Sequence, residues 1–527
     1  MNIVVIGLDG ASWNILMSLI RKSKLPTMKY LIENGCYGYL ESCIPPISVP
    51  AWKCYSTGKN PDKLKVYDFL IFDLKNKTYK APRSQDFNGK DLWYYLGIKG
   101  YVSCIYKMFS THPASKINGC MVSDVPNEKG FYPKKLKDEL ERKFGELFFE
   151  FKYIEDRENT YFRAIKEIER DFNIVKYLIS EYNPNFVHIS ISHTDGIQHF
   201  FWKDMVERDQ KYGKFIENAW MEVDKQLNNF IKFLYNKYGD NLYIFIISDH
   251  DFTEVKYRFN IGKWLVDMRY IRLTNIGKIM KFISFFLRDV ERAMKILEKI
   301  INFLRRILKR REQRKGVQFQ LIVGGLYKKV IDWEKSKVLP LDGQVLYINN
   351  KHFKNKKEKE KFVKDVIENI SKIKRPDGES LVEYIYYGKE IYKNDENSPD
   401  IIILPKNVFL YNAPLLNVLW SEPSKKQWTG MHDLYGIFIA LGKGIKKGRK
   451  IENARIVDIA PTILHIFGLP IPNDMDGRVL TEIFEPDSEF AKRKPQYVDL
   501  NYYERLSEKQ KIKQRIMKIK RIKHEKA

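Results

Sequence analysis

Three aspartates stand where apolar runs end. They are Asp9 after Val4-Val5-Ile6-Gly7-Leu8, Asp195 shortly after residues 186–192, and Asp249 after residues 242–248. Each run is rich in β-branched or aromatic residues and reads as a buried strand, and ligands of α/β sheets gather at the carboxyl ends of such strands. Asp195 and His199 lie four residues apart, about one helical turn, so a carboxylate and an imidazole converge there on one cation. Asp249 and His250 are neighbours and ligate together only if the chain turns, which the run out of the strand into Asp251 allows. His432, beside Gly430 and ahead of the apolar run 437–440, is a further candidate ligand. Asp9 suits a metal ion or a helix cap.

One hydroxyl fits the same chemistry. In Pro45-Pro46-Ile47-Ser48-Val49-Pro50-Ala51-Trp52, Ser48 reads as the N-cap of a short helix with Pro50 in its first turn and Gly58 as its stop. A hydroxyl at that point faces unpaired backbone N–H groups and the positive end of the helix dipole, which favour both a phosphoryl group and an alkoxide. A plain cap is the alternative, and the Asp and His residues elsewhere decide against it. Other histidines carry less. His112 in a turn and His188 inside a strand read as structural or supporting residues, and His193 stays open.

These residues need a scaffold that brings distant strand ends together. Strands at 1–7, 100–106, 119–122, 186–192, 242–248 and 437–440 alternate with amphipathic helices at 160–182 and 217–238, a pattern that predicts a mostly parallel sheet sandwiched by helices. Residues 60–95 show no clear period and read as a loop over the site. A strand at 345–349, a charged helix near 356–372 and a strand at 401–404 follow later. Residues 276–315 break the rhythm: Ile279, Ile283, Phe286, Val290, Met294, Leu297, Ile301, Leu304 and Leu308 follow steps of three and four, as in a long amphipathic helix. The expected organisation is a catalytic domain in two parts, 1–275 and 316–490, with a basic helical insertion at 276–315 and a basic helical or disordered tail at 491–527, helical by pattern at Ile512, Ile516, Ile519 and Ile522.

Composition bounds the setting. With 527 residues, 44% hydrophobic and 14% aromatic, the chain can bury a large core. Five cysteines without CxxC spacing fit a reduced, cytoplasmic environment rather than a disulfide framework or a cysteine zinc site. The amino-terminal apolar run is too short and lacks the basic flank of a signal peptide, and no uncharged apolar stretch reaches the about 18 residues of a membrane span. The net charge is +26, and its larger part is local: residues 277–315 hold 13 Lys/Arg against 4 Asp/Glu, and residues 491–527 repeat that balance. Such appendages suit an anionic membrane surface, at the inner face of the membrane, or an acidic partner, with nucleic acid ranked lower.

The ordered set of motifs resembles the type I phosphodiesterase and nucleotide pyrophosphatase family of the alkaline phosphatase superfamily. The matches are the Gly-Leu-Asp-Gly start, the Ser48 turn ending in Ser56-Thr57-Gly58-Lys59-Asn60-Pro61, the Asp195 to His199 segment with Phe200-Phe201-Trp202, Ser248-Asp249-His250, Gly430-Met431-His432 and Asp458-Ile459-Ala460-Pro461-Thr462. The resemblance implies an alkaline-phosphatase-like core and two divalent ions, commonly zinc and alternatively manganese. Asp195, His199 and His432 would hold one ion; Asp9, Asp249 and His250 would hold the other, with Ser48 oxygen bound to it. Ser48 would then form a phosphoseryl intermediate during hydrolysis of a phosphodiester, a pyrophosphate or a phosphomonoester. A phosphotransferase or phosphosugar mutase of the same superfamily, or a membrane- or nucleic-acid-binding protein with a vestigial site, are the competing expectations.

Three departures bear on specificity. Pyrophosphatases of this family usually carry Thr as nucleophile and Asn three residues later, where this chain has Ser48 and Ala51. The segment from Ser48 to Trp52 is also similar to the sulfatase signature, but Trp52 replaces its Arg. Asp251 stands where relatives often have Gly after Asp-His.

Overall fold

The computed structural model describes residues 1–73, 78–125, 127–147, 156–285, 329–340, 343–393, 395, 398–499, 501–512 and 516. Its centre is a nine-stranded sheet in the order Arg449–Arg455, Cys36–Glu41, Tyr435–Leu441, Leu242–Ile247, Asn2–Leu8, Phe186–Ile191, Ser103–Met108, Gly119–Ser123 and Phe131–Tyr132. The strand Tyr435–Leu441 runs antiparallel to both neighbours, and Phe131–Tyr132 runs antiparallel to its neighbour; the remaining pairs are parallel. The strands Leu242–Ile247, Phe186–Ile191 and Ser103–Met108 are buried along their whole length. Even their polar residues, Ser103, Lys107, His188 and Ser190, are buried, as a parallel sheet covered on both faces requires.

The first strand shows the two-sided burial residue by residue. Val4, Ile6 and Leu8 point into a core built with the helices Arg157–Tyr182 and Phe215–Tyr238, whereas Ile3 and Val5 point into a second core with the helices Ser48–Thr57 and Ile459–Ile466. A period of two thus divides one strand between two layers of helix. A third core lies under a four-stranded antiparallel sheet, Val338–Pro340, Val345–Ile348, Ile401–Pro405 and Val382–Tyr387, covered by Val363, Val366 and Ile370 of the helix Lys356–Ser371.

Residues 60–95 depart from the loop expectation. They form the short helices Pro61–Leu64 and Leu92–Ile98 and the paired strands Ile71–Asp73 and Thr78–Lys80. Contacts distant in sequence hold the start of this stretch: Lys59 pairs with Asp474, and the Asn60 N–H donates to Asp476 Oδ2 at 2.8 Å. Elements this short carry little periodicity, which is why pattern reading misses them. Of the 276–315 helix, the structure describes Asn275–Phe285, whose Met280 packs on the third core. The rest of that expected helix lies outside the described residues, as do Ile519 and Ile522 of the tail; residues 502–512 are helical. Among the described residues no helix is long and apolar enough to cross a membrane.

Candidate metal centre and its serine

Ser48 occupies the first turn of its helix rather than the cap. Ile47 is the capping residue, with extended backbone and no side-chain cap bond, so the Ser48 hydroxyl is not used to close the helix end. It lies 3.1 Å from His250 Nε2 instead. Pro50 sits in the same turn, and Gly58 ends the helix with a left-handed φ of 68°.

The six expected ligands gather around that hydroxyl in two groups. Asp195, His199 and His432 form one, and Asp9, Asp249 and His250 the other, with the ligand atoms of each group all within 4.8 Å of one another. Asp195 Oδ1 lies 3.3 Å from both His199 Nε2 and His432 Nε2, and those two nitrogens are 3.1 Å apart. His250 Nε2 lies 3.2 Å from Asp249 Oδ2 and 3.5 Å from Asp9 Oδ1, and 3.9 Å from Asp195 Oδ1, which ties the groups together. The sheet explains the convergence: Asp9 and Asp249 follow adjacent parallel strands, and Asp195 lies four residues beyond the strand on the other side of the first. Asp249 and His250 diverge from the strand Leu242–Ile247 before a new strand starts at Asp251, which supplies the turn that a neighbouring pair needs. His432 arrives on the strand Gly430–Asp433, paired to Asp251–Glu254 so that it stands opposite Phe252.

Backbone carbonyls orient two of the imidazoles. His199 Nδ1–H donates to Gly430 O at 2.8 Å and His250 Nδ1–H donates to Asp251 O at 3.0 Å, so in each ring Nε2 keeps its lone pair for the centre of the site. Asp9 is held from behind as well: Thr194 Oγ1 donates to its carbonyl at 2.7 Å, and the Trp52 indole N–H reaches its Oδ2 at 3.4 Å. Gly10 follows with φ 67°, and a Cβ there would stand 2.6 Å from the Phe252 ring, so glycine alone fits the turn.

The electrostatics call for cations. Asp9 Oδ1, Asp195 Oδ1 and Asp249 Oδ2 are buried and accept no hydrogen bond. Burial pushes the Asp249 carboxyl up to about 7, with the Asp195 charge adding to it, and burial together with Asp249 and Asp195 raises Asp9 well above the usual range. Asp195 is buried too, yet His199 and His432 outweigh that and hold it well below the ordinary carboxylate range. Burial and the neighbouring His432 push His250 down, and burial lowers His432 against the pull of Asp195. Carboxylates crowded in low dielectric, with neutral imidazoles turned toward them, form a donor set that fits divalent ions with mixed oxygen and nitrogen ligands.

A family model of type I phosphodiesterase/nucleotide pyrophosphatase matches residues 3–433. The chain belongs to that family. Murine ectonucleotide pyrophosphatase/phosphodiesterase 5 shares the fold at 13% identity, covering 92% of this chain and 100% of that one with a TM-score of 0.53. Phosphonoacetate hydrolase from Sinorhizobium meliloti 1021, solved with phosphonoformate, aligns at 12% identity over 87% of this chain and 94% of that one, with a TM-score of 0.55. At such identities these likenesses establish the alkaline-phosphatase-type α/β fold and no more. No sequence among curated proteins gives a significant match.

His188 is fully buried between Tyr55 OH (3.2 Å) and Ser190 Oγ (2.8 Å), and His112 lies near Ser123 and Asn127, away from both ligand groups. Supporting residues escaped the sequence reading. Ser248 Oγ accepts from Ala11 N–H at 2.9 Å and donates to His250 O at 2.7 Å, Trp428 stacks on His199 with ring centroids 3.8 Å apart, and Trp52 contacts Asp9. Ser248 and Trp52 stand inside the motifs and Trp428 beside one, which was the available signal.

Proposed function

We propose that this chain is a metal-dependent phosphoester hydrolase that cleaves a phosphodiester, pyrophosphate or phosphomonoester bond through a phosphoseryl intermediate on Ser48. The observation that carries this reading is a serine hydroxyl 3.1 Å from a ligand-competent imidazole nitrogen, beside two buried Asp/His groups with three unsatisfied carboxylate oxygens. Asp195, His199 and His432 would hold one divalent ion, and Asp9, Asp249 and His250 the other together with Ser48 Oγ; zinc suits this donor set first and manganese second. Such ions, when bound, lower the pKa of a hydroxyl or water and offset charge on the phosphoryl oxygens.

The chain's own groups define the rest. Ser48 Oγ, having lost its proton, attacks phosphorus; the P–O bond to the leaving group breaks, and that group departs with a proton as an alcohol or phosphate. The N–H groups at the very start of the helix Ser48–Thr57, ahead of Pro50, would favour charge on the phosphoryl oxygens. Water then attacks phosphorus, the P–Oγ bond breaks, phosphate or its monoester leaves, and Ser48 regains its proton. Trp52, with its indole N–H turned to Asp9 Oδ2, stands where a sulfatase would carry arginine, which speaks for phosphorus over sulfur.

Assays on bis-p-nitrophenyl phosphate and p-nitrophenyl phosphate with zinc or manganese test the proposal. Turnover of at least one ester is expected, abolished by chelation and restored by metal, with a phosphoserine trapped by acid quench in the native chain and missing from Ser48→Ala. Protein that binds two ions per chain yet turns over neither ester would sink it.

A further inference from the structure

Among the described residues, the half-buried Arg258 has no counter-ion. It lies on the strand Tyr257–Asn260, which pairs in parallel with Val408–Tyr411 and antiparallel with Trp420–Ser421, so that it stands opposite Phe409 on one side and Ser421 on the other. One face of this small sheet, through Phe259, Val408 and Leu410, belongs to the third core. The other face carries Arg258 with Phe409 and Tyr411, whose ring centroids each lie 5.1 Å from the guanidinium carbon. The Arg258 Nε is buried and makes no hydrogen bond. Burial lowers the guanidinium from its ordinary value, and Tyr411 alone among the described groups acts against it. Other arginines differ: Arg157 pairs with Asp204, Arg375 with Asp377 and Arg478 with Glu482. Contacts tie the Arg258 cation to the candidate metal centre. The Phe409 ring meets Trp428 edge-on with centroids 5.7 Å apart, and Trp428 stacks on His199 at 3.8 Å. The chain leading to Arg258 is fixed as well, since Val255 N–H donates to Thr429 O at 2.8 Å and Lys256 N–H donates to Asn407 O at 2.9 Å.

We propose that Arg258 receives a second oxyanion of the substrate, a phosphate or carboxylate carried at a distance from the phosphorus that Ser48 attacks. This deepens the proposed hydrolysis and rests on that reading for the position of the first phosphoryl group. The chemistry of the guanidinium selects the ligand class. Aromatic rings attract its charge but accept none of its N–H bonds along their planes, so ring contact alone leaves a half-buried fork of donors unpaired. Two oxygens of one carboxylate or phosphate match that fork. A substrate with a neutral tail would leave the donors as they are, and a site built for a hydrogen-bonding group discriminates against the analogue that lacks it. Phe409 and Tyr411 hold the cation against one sheet face, so little further ordering is needed when the anion arrives.

Calorimetry on the full-length, zinc-loaded chain tests this with probes that are not cleaved. They are alkylphosphonates, α,ω-alkane bisphosphonates and ω-phosphonoalkanoates, with spacers of about three to six carbons. At one spacer length the two-ended probe is expected to bind about thirtyfold or more tighter than the alkylphosphonate, and the tighter of the two series identifies the second group as phosphate or carboxylate. In Arg258→Met that ratio should collapse toward one. Arg258→Lys keeps the charge and loses the fork, so its ratio should lie between the two, and it takes the place of the methionine variant if that one does not fold. Equal affinity for one-ended and two-ended probes at every length would overturn the proposal. So would a native ratio that persists in Arg258→Met or, where that variant does not fold, in Arg258→Lys. Ester turnover is a separate readout: a chain that binds the two-ended probes selectively yet hydrolyses no ester keeps the anion site and loses the hydrolase reading, and the reverse result loses the anion site alone.

Discussion

Two clusters of buried acids and histidines meet at the start of the helix His193–Val206, and they differ in whether a lysine reaches them. In the first, His193 Nε2 stands 3.1 Å from Asp171 Oδ2, and Asp171 Oδ1 accepts from Lys107 Nζ at 2.6 Å and Tyr106 OH at 2.7 Å. In the second, among the described residues, the ion pairs of Asp9, Asp195 and Asp249 are all to histidines. The first cluster also has ligand-like spacing, since Glu167, Asp171 and His193 lie within 4.8 Å of one another. Their electrostatics diverge: burial raises Asp171, but Lys107 and His193 bring it down to about 2, whereas Asp249 is pushed up to about 7. Residue type and spacing alone therefore do not distinguish a metal centre from an internal ion-pair network. The source of positive charge does.

The largest effect that could break this contrast is chemical. Asp195→Ala should lower ester hydrolysis by about a thousandfold, because it removes a ligand that touches three imidazoles. Elemental analysis should show bound metal dropping from two ions per chain toward one. Asp171→Asn should leave that metal content at two. An equal loss of metal in both variants would erase the distinction.

Next in size is the lysine itself. Lys107→Met leaves the Asp171 carboxylate buried without its ammonium and should destabilise the fold by about 3 kcal/mol in urea unfolding, with the two-ion content unchanged. A third ion bound by this variant would sharpen the contrast further, by making Lys107 the group that keeps a ligand-like cluster from ligating.

Acid titration reads the same network at a smaller scale. The Asp171 carboxyl is held at about 2 in the folded chain against an ordinary aspartate value of about 3.8, so its contribution is present above about pH 4 and is lost as pH falls through the folded value. The difference corresponds to about 2 kcal/mol. Unfolding free energies of the native chain and Asp171→Asn, compared between pH 5 and pH 2, should converge by about that amount on the acid side. A gap that persists at low pH would assign Asp171 to packing rather than to charge.

Much of the Asp/His clustering was legible because each of its residues sits at a place that sequence marks. Asp9 directly follows one apolar strand and Asp249 lies two residues beyond another, Asp195 and His199 share a helical turn, and His432 lies two residues after Gly430. The sheet order then places three of those strand ends side by side. Ser48 was read as the N-cap, whereas Ile47 takes the capping position and the Ser48 hydroxyl is turned to His250 instead. The Lys107–Asp171–His193 network was not legible. Its members come from a strand, the middle of a helix and the start of another, and nothing local in sequence pairs Lys107 with Asp171, 64 residues away. The antiparallel sheet around Val345–Ile348 and Ile401–Pro405 was read only as scattered segments, because pairing of strands distant in sequence has no periodic trace within either one.

The finest test concerns a residue that belongs to neither cluster but touches one. Trp52 is fully buried, its ring lies where a Cβ on Gly7 would come within 2.4 Å, and its indole N–H reaches Asp9 Oδ2 at 3.4 Å. That bond leaves Asp9 Oδ1 as the oxygen turned to His250 Nε2. A Trp52→Phe variant keeps an aromatic ring and removes the donor, so Asp9 should rotate more freely and zinc affinity should fall by about tenfold. Trp93→Phe, which alters a buried tryptophan of the same core away from both ligand groups, provides the packing control. If both variants lose stability and neither loses zinc affinity, Trp52 is filler beside Gly7. If only Trp52→Phe weakens zinc binding, the residue that replaces the sulfatase arginine acts by choosing which carboxylate oxygen faces the centre.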